Sequence, residues 1–126
     1  MTAPRFERSP SGAGPRVQGF AGKTFLVDGE SYAAVLLTPE RAAHWQAPAL
    51  ADLAADDVAP LLALDPPLEF LILGTGAAQA FPPRAFIAAL EAKGIGVEAM
   101  DSRAAARTWG LLRGEGRWIA AALMAL

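Results

Sequence analysis

Apolar residues come in short runs separated by Gly, Pro and Asp, and the period of each run predicts an element. Phe25-Leu26-Val27 and Ser31-Tyr32-Ala33-Ala34-Val35-Leu36-Leu37 flank Asp28-Gly29, a pair suited to a two-residue turn in which both central residues take positive φ. Residues 17–37 therefore read as a β-meander. After Thr38-Pro39 the chain turns alanine-rich. Asp56-Asp57-Val58 leading into Leu61-Leu62 then predicts a short helix with acids in its first turn and Pro60 near its start. Asp65-Pro66-Pro67 forces an extended entry to Leu68-Glu69-Phe70-Leu71-Ile72-Leu73. That nearly continuous apolar run is typical of a strand covered on both faces. Residues 84–93 predict a helix with Phe86, Ile87 and Leu90 on its apolar face, Pro82 and Pro83 near its start and Gly94 as its stop. Residues 96–100 predict a strand ending at Asp101, Ser102 the cap of a third helix running to about Arg113, and residues 117–126 a final apolar strand. Because 70–73 and 119–123 are apolar without alternation, both belong inside one sheet. The order strand, helix, strand, helix, strand attached to a meander is an α/β domain.

Composition narrows the function. A chain of 126 residues, 53% hydrophobic, holds one core and is short for two. The first fifteen residues, rich in Pro and Gly and nearly devoid of apolar side chains, read as a flexible arm (1–15) ahead of a single domain (16–126). That arm lacks the apolar stretch of a secretory signal, and no segment has the roughly 18 uninterrupted apolar residues of a membrane span. The expected setting is the bacterial cytoplasm, ahead of the mitochondrial matrix. A net charge of -2 offers no basic stripe for phosphates, so nucleic acid is not an expected partner. With no cysteine and one histidine, disulfides, thiolate nucleophiles and Cys- or His-based metal sites are not expected. His44, beside Trp45, reads as a surface or packing histidine.

Candidate chemistry centres on two stretches. Gly74-Thr75-Gly76 follows the central strand, where a dinucleotide fold would place its glycine-rich turn. Gln79 stands at the third glycine position, however, and the loop runs on to Pro82 before the helix begins. No Gly-Lys-Ser/Thr follows for a phosphate loop, and no serine sits in a G-x-S-x-G elbow. Neither catalytic residues, nor a metal site, nor a cofactor are expected. The second stretch is DSRAAARTWGLLRGEGR, residues 101–117. Helical spacing puts Ala105, Trp109 and Leu112 on one face and Arg103, Arg107, Gly110 and Gly114 on another. This second face reads either as a solvated surface, with Arg107 bridging to Asp101 or Glu115, or as a place for an anion or a partner's backbone. A right-handed crossover brings the strand ends at Gly74 and Asp101 together. The candidate site is therefore a cleft with Gly74, Thr75 and Gly76 on one wall and Asp101, Arg107 and Thr108 on the other.

Leu73-Gly74-Thr75-Gly76, Pro82, the run Gly94-Ile95-Gly96-Val97-Glu98-Ala99-Met100-Asp101-Ser102, and Ala105-Ala106-Arg107-Thr108-Trp109 with Leu112, Glu115 and Arg117 together resemble the Mth-like domain family of unknown function. That family includes a mitochondrial complex I assembly factor and an adipogenesis-associated Mth-like protein, and the likeness spans about residues 16–126. It implies a three-layer β+α/β/α fold with a mixed central sheet whose last strand runs antiparallel to its neighbours. It implies no established enzyme activity and a role as a protein-binding or assembly module. Gly110 stands where the family usually has asparagine, and Trp109 where it usually has tyrosine or phenylalanine. The alternative function is a small-anion or small-metabolite binder, or an enzyme, using the cleft just described.

Overall fold

The computed structural model describes residues 14–126, so the first thirteen residues of the expected arm lie outside the described residues. The arm's last two are packed. The Trp109 indole N–H donates to the Pro15 carbonyl at 3.4 Å, and Gly14, at φ +87°, lies so close to Pro39 that a Cβ would collide with its carbonyl oxygen.

Three strands, β1 (Val17–Ala21), β2 (Thr24–Val27) and β3 (Glu30–Tyr32), form a small antiparallel sheet in that order. Asp28 (φ 49°) and Gly29 (φ 85°) make the turn between β2 and β3, with Val27 paired to Glu30. The run 31–37, predicted as one strand, breaks at Ala33-Ala34: β4 (Val35–Leu37) leaves the small sheet and enters a second, five-stranded one. The cause is side-chain direction. Tyr32 and Val35 are buried in the same core, yet residues three apart on an uninterrupted strand point to opposite faces.

The large sheet adds β5 (Ala42–His44), β6 (Phe70–Gly74), β7 (Gly96–Met100) and β8 (Ala120–Leu123), in the order β5-β4-β8-β6-β7. β6 is parallel to both β7 and β8, whereas β4 is antiparallel to β8 and to β5. The sheet is mixed, but its last strand is antiparallel to β4 only. A helical crossover delivers β8 in the direction of β6, so the expectation of opposition to both neighbours is corrected. Strand β5, which the sequence pattern did not predict, is an edge strand built from Ala-Ala-His without a branched or aromatic residue to mark it.

Short 3-10 turns at Leu50–Asp52 and Ala55–Val58 lead into α1 (Ala59–Leu62), with Pro60 at its start. Helix α2 (Arg84–Glu91) joins β6 to β7, and α3 (Ser102–Gly114) joins β7 to β8. Alternate residues of β6 feed two cores: Leu71 and Leu73 meet Leu61, Phe86 and Leu90 on one face, while Ile72 meets Phe25, Val27 and Trp109 on the other. The three layers are therefore α1 and α2, the large sheet, and α3 beside the small sheet. Along α3, Ala105 and Trp109 are buried, while Arg103, Arg107, Gly110 and Gly114 are exposed, the division that helical spacing predicts. Among the described residues no helix is long and apolar enough to cross a membrane.

Candidate functional site

Open parallel sheets bind ligands where successive crossovers leave on opposite faces, beyond the carboxyl ends of the strands. Here that point lies between β6, whose crossover helix α2 covers one face, and β7, whose crossover helix α3 covers the other. The turn after β6 and the start of α3 do meet there, and hydrogen bonds join them. Thr75 N–H donates to the Met100 carbonyl (2.8 Å) and Ser102 N–H to the Gly76 carbonyl (2.8 Å). The Ser102 hydroxyl accepts from Gly76 N–H at 2.9 Å and donates to the Met124 carbonyl at 2.8 Å. Met124 N–H in turn donates to the Gly74 carbonyl (2.9 Å). One fully buried hydroxyl thus ties the ends of β6 and β8 to the first residue of α3.

Gly74 is glycine because of that junction. A Cβ there would stand 2.7 Å from Ser102 Oγ, 2.9 Å from Ser102 Cα and 3.0 Å from a Leu123 methyl. Gly76 has φ +108°, a region that suits glycine. The Thr75 hydroxyl accepts from Ala80 N–H (3.1 Å) and lies 2.8 Å from the Ala78 carbonyl and 3.2 Å from that of Met100. Thr75 therefore shapes its own loop. The backbone donors that a phosphate would need from Thr75 and Gly76 are already engaged within the fold.

Asp101, not Ser102, is the N-cap of α3, accepting from Ala104 N–H at 2.9 Å. Adjacent Asp and Ser both suit a cap, and burial of the serine decides between them. Thr108 donates to the Met100 sulfur (3.4 Å). Arg107 is exposed, and among the described residues no ion pair joins it to Asp101 or Glu115.

Space opens on the other side of the same turn. A groove of about 460 Å³ runs between Ala33-Ala34, the segment Trp45–Pro48 with Leu50, and the wall formed by Thr75, Met124 and Ala125. It sits beyond the carboxyl ends of β6 and β8, and its lining carries no ionisable side chain. Trp45 anchors its outer wall: the backbone N–H donates to the Ala34 carbonyl (3.1 Å) and the indole N–H to the Asp57 carbonyl (2.9 Å). Of the predicted site residues, Thr75 lines this groove. The sequence pattern missed the other wall, since residues 45–50 have neither strand nor helix period; the signal present was Trp45 followed by a proline-bounded, non-repeating stretch.

Two further polar clusters lie elsewhere. His44 Nε2 is 2.7 Å from Glu30 Oε2, and its ring stacks on Tyr32 at 4.3 Å between centroids, fastening the edge of the large sheet to the small one. Burial pushes the Tyr32 phenol up, with help from the Glu30 and Asp28 charges. At the opposite end of the sheet, Arg117 bonds Glu69 (2.8 Å). That bond, with a further one from Trp118 N–H, holds the Glu69 carboxyl below its usual range. Arg113, nearly buried, donates from Nη1 to the Arg117 carbonyl at 2.6 Å, and burial lowers its guanidinium.

Residues 17–124 match a family described as Protein of unknown function (DUF498/DUF598). The chain belongs to that family. An uncharacterised protein of Rhodobacter capsulatus is 34% identical over 120 residues, covering 87% of this chain and 91% of its own. The zebrafish (Danio rerio) NADH dehydrogenase [ubiquinone] 1 alpha subcomplex assembly factor 3 is 27% identical over 113 residues, which is 89% of this chain and 65% of the fish protein. Among solved structures, a Bordetella parapertussis protein superposes with a TM-score of 0.80 at 32% identity, covering 89% of this chain and 96% of that one. A Bordetella pertussis protein described as a Mth938-like domain gives 0.76 at 26% identity, covering 98% and 92%. The resemblance to Mth-like domains and the three-layer fold are thus established for this family member.

Proposed function

We propose that this family member is a non-catalytic assembly module that holds an extended, apolar segment of a partner protein in the groove between Trp45–Leu50 and Thr75/Met124. The observation that carries this reading is the lining itself, which offers apolar and small side chains, the Gln46 amide and backbone, and no ionisable group. An uncharged groove suits neutral polypeptide better than an anion or a proton-transfer substrate. The fish relative's description as an assembly factor of a respiratory enzyme supports the same class of role, and a subunit of such a complex is the partner we put forward. A photo-crosslinking residue at Gln46, compared in living cells with one at exposed Glu91 on α2, tests it. A discrete adduct formed from position 46, absent from position 91 and lost on Ala47→Arg, is expected. Identical adducts at both positions, or none at 46, would overturn the reading.

A second reading is a small-anion or small-metabolite site, with or without catalysis, using Gly74, Thr75, Gly76, Asp101, Arg107 and Thr108. It is favoured by one observation, the exposed Arg107 on a helix whose first residue is tied to the turn. Titration with inorganic phosphate, followed by amide NMR shifts, should move Thr75, Gly76 and residues 101–108 in the wild type and not in Arg107→Ala. Absence of shifts in the wild type up to tens of millimolar would dispose of it.

A further inference from the structure

We propose that the exposed face of α3 is a self-complementary interface on which a second copy of this chain docks antiparallel, about a two-fold axis at Leu111. This inference is independent of the groove.

Arg107, Leu111 and Glu115 follow one another at four-residue spacing, so they form a single ridge along the helix. All three are exposed, Leu111 at 66%. Neither Arg107 nor Glu115 has an ion-pair partner among the described residues. Beside this ridge run Gly110 and Gly114, and apart from adjacent residues and the helix's own backbone no described residue lies within 4 Å of where their Cβ atoms would be. A large apolar side chain in water is thus flanked by a cation one turn before it and an anion one turn after it, next to a stretch of bare backbone.

The order of charges selects the occupant. Laying a second α3 antiparallel across the first, with the two Leu111 side chains in contact, puts Arg107 of each copy level with Glu115 of the other, because both lie four residues from the axis. Two ion pairs form by symmetry, as an isologous contact requires. Each Arg107 also approaches the negative carbonyl end of the facing helix, which Glu115 caps. The glycine ridges let the two backbones come close enough for the leucines to touch. An acidic helix from another protein would satisfy Arg107 and set its own charge against Glu115, whereas a copy of this chain supplies both signs in the mirrored order.

The face is small. Thirteen residues of helix span about 20 Å, and two such faces bury less than the ~1,200 Å² of a tight complex. The dimer is therefore expected to be a weak one.

Sedimentation equilibrium of the full chain, from about 10 µM to about 1 mM, tests this. The wild type should show a monomer–dimer equilibrium. Arg107→Glu and Glu115→Arg, each of which sets like charges opposite one another, should each weaken association by about tenfold or more. Mixing the two single variants should restore it, because one then presents acids at both positions and the other arginines. The double variant R107E/E115R should associate more tightly than either single variant, though short of the wild type because the acid at position 107 then faces a carbonyl end, and it carries the test should a single variant fail to fold. A wild type that stays monomeric throughout, single variants that associate as the wild type does, or a mixture that stays monomeric would each overturn the proposal.

Discussion

Replacing Ser102 by alanine removes one oxygen from a fully buried position and leaves two groups stranded. Gly76 N–H loses its acceptor at 2.9 Å and the Met124 carbonyl loses its donor at 2.8 Å. A buried donor or acceptor left without a partner costs about 1–3 kcal/mol. The carbonyl is the cheaper loss, because a second lone pair remains for other contacts. A total of about 2–4 kcal/mol is expected, a large share of the roughly 5–15 kcal/mol that a domain of this size has. With an unfolding entropy near 2.1 cal/mol/K per residue, this corresponds to a fall in Tm of about 8–15 °C. Differential scanning calorimetry measures it directly. A cycle with Gly74→Ala adds a second check. The added methyl would stand 2.7 Å from Ser102 Oγ and 2.9 Å from Ser102 Cα, so removing the hydroxyl relieves one of these contacts and leaves the other. The double variant should be less damaged than the sum of the singles and still less stable than Ser102→Ala alone. A Ser102→Ala protein melting within about 2 °C of the wild type would refute the reasoning, because the hydroxyl could then not be what holds the three chain ends together.

Gly110 sits in a helix with open space where its Cβ would be, so Gly110→Ala should stabilise the chain by about 1 kcal/mol through helix propensity, read as a rise in Tm of about 4 °C. Glu69 has its folded pKa lowered, first by the hydrogen bond from Arg117. Its contribution is therefore present above the ordinary carboxylate range and lost as pH falls through the lowered value. Urea titrations should accordingly find the wild type more stable than Glu69→Gln at neutral pH, with the gap closing in acid and shrinking in salt, since the pair is exposed.

Much of this architecture was legible in the order of apolar runs. The Asp28-Gly29 turn, the unalternating strands at 70–73 and 119–123 and the two faces of α3 each follow from a period or a turn rule acting over a few residues. What was not legible depended on contacts far apart in sequence. The break at Ala33-Ala34 arises because Tyr32 and Val35 share one core, and β5 exists because β4 offers it an edge. Ser102 reads locally as a cap, and only the arrival of Met124 and Gly76 around it gives its hydroxyl another use. For the candidate site, the sequence predicted that the turn at Gly74–Gly76 would meet the start of α3, and it does. It did not predict that Thr75 would also line a groove on the opposite side, because the facing wall at 45–50 has no periodic pattern to announce it.

Alanine richness, which reads in the sequence as a compositional habit, sets a spacing at the middle of the molecule. The middle strand of the large sheet carries Ala120, Ala121 and Ala122, all fully buried, with 120 and 122 facing one core and 121 the other. Methyl groups there let Trp109 and the rest of α3 sit close to the sheet on one side, while the other side faces the core that holds Leu71 and Leu73. Growth at these three positions has nowhere to go, since an added methylene in a filled interior forces neighbours off their rotamers. The molecule is accordingly rigid in size at its axis and permissive at its rim, so divergence that enlarges side chains belongs at the two sheet edges and on the exposed flanks of the helices. Enlarging any one of the three to valine or leucine would therefore have to be met by smaller neighbours or a shifted backbone.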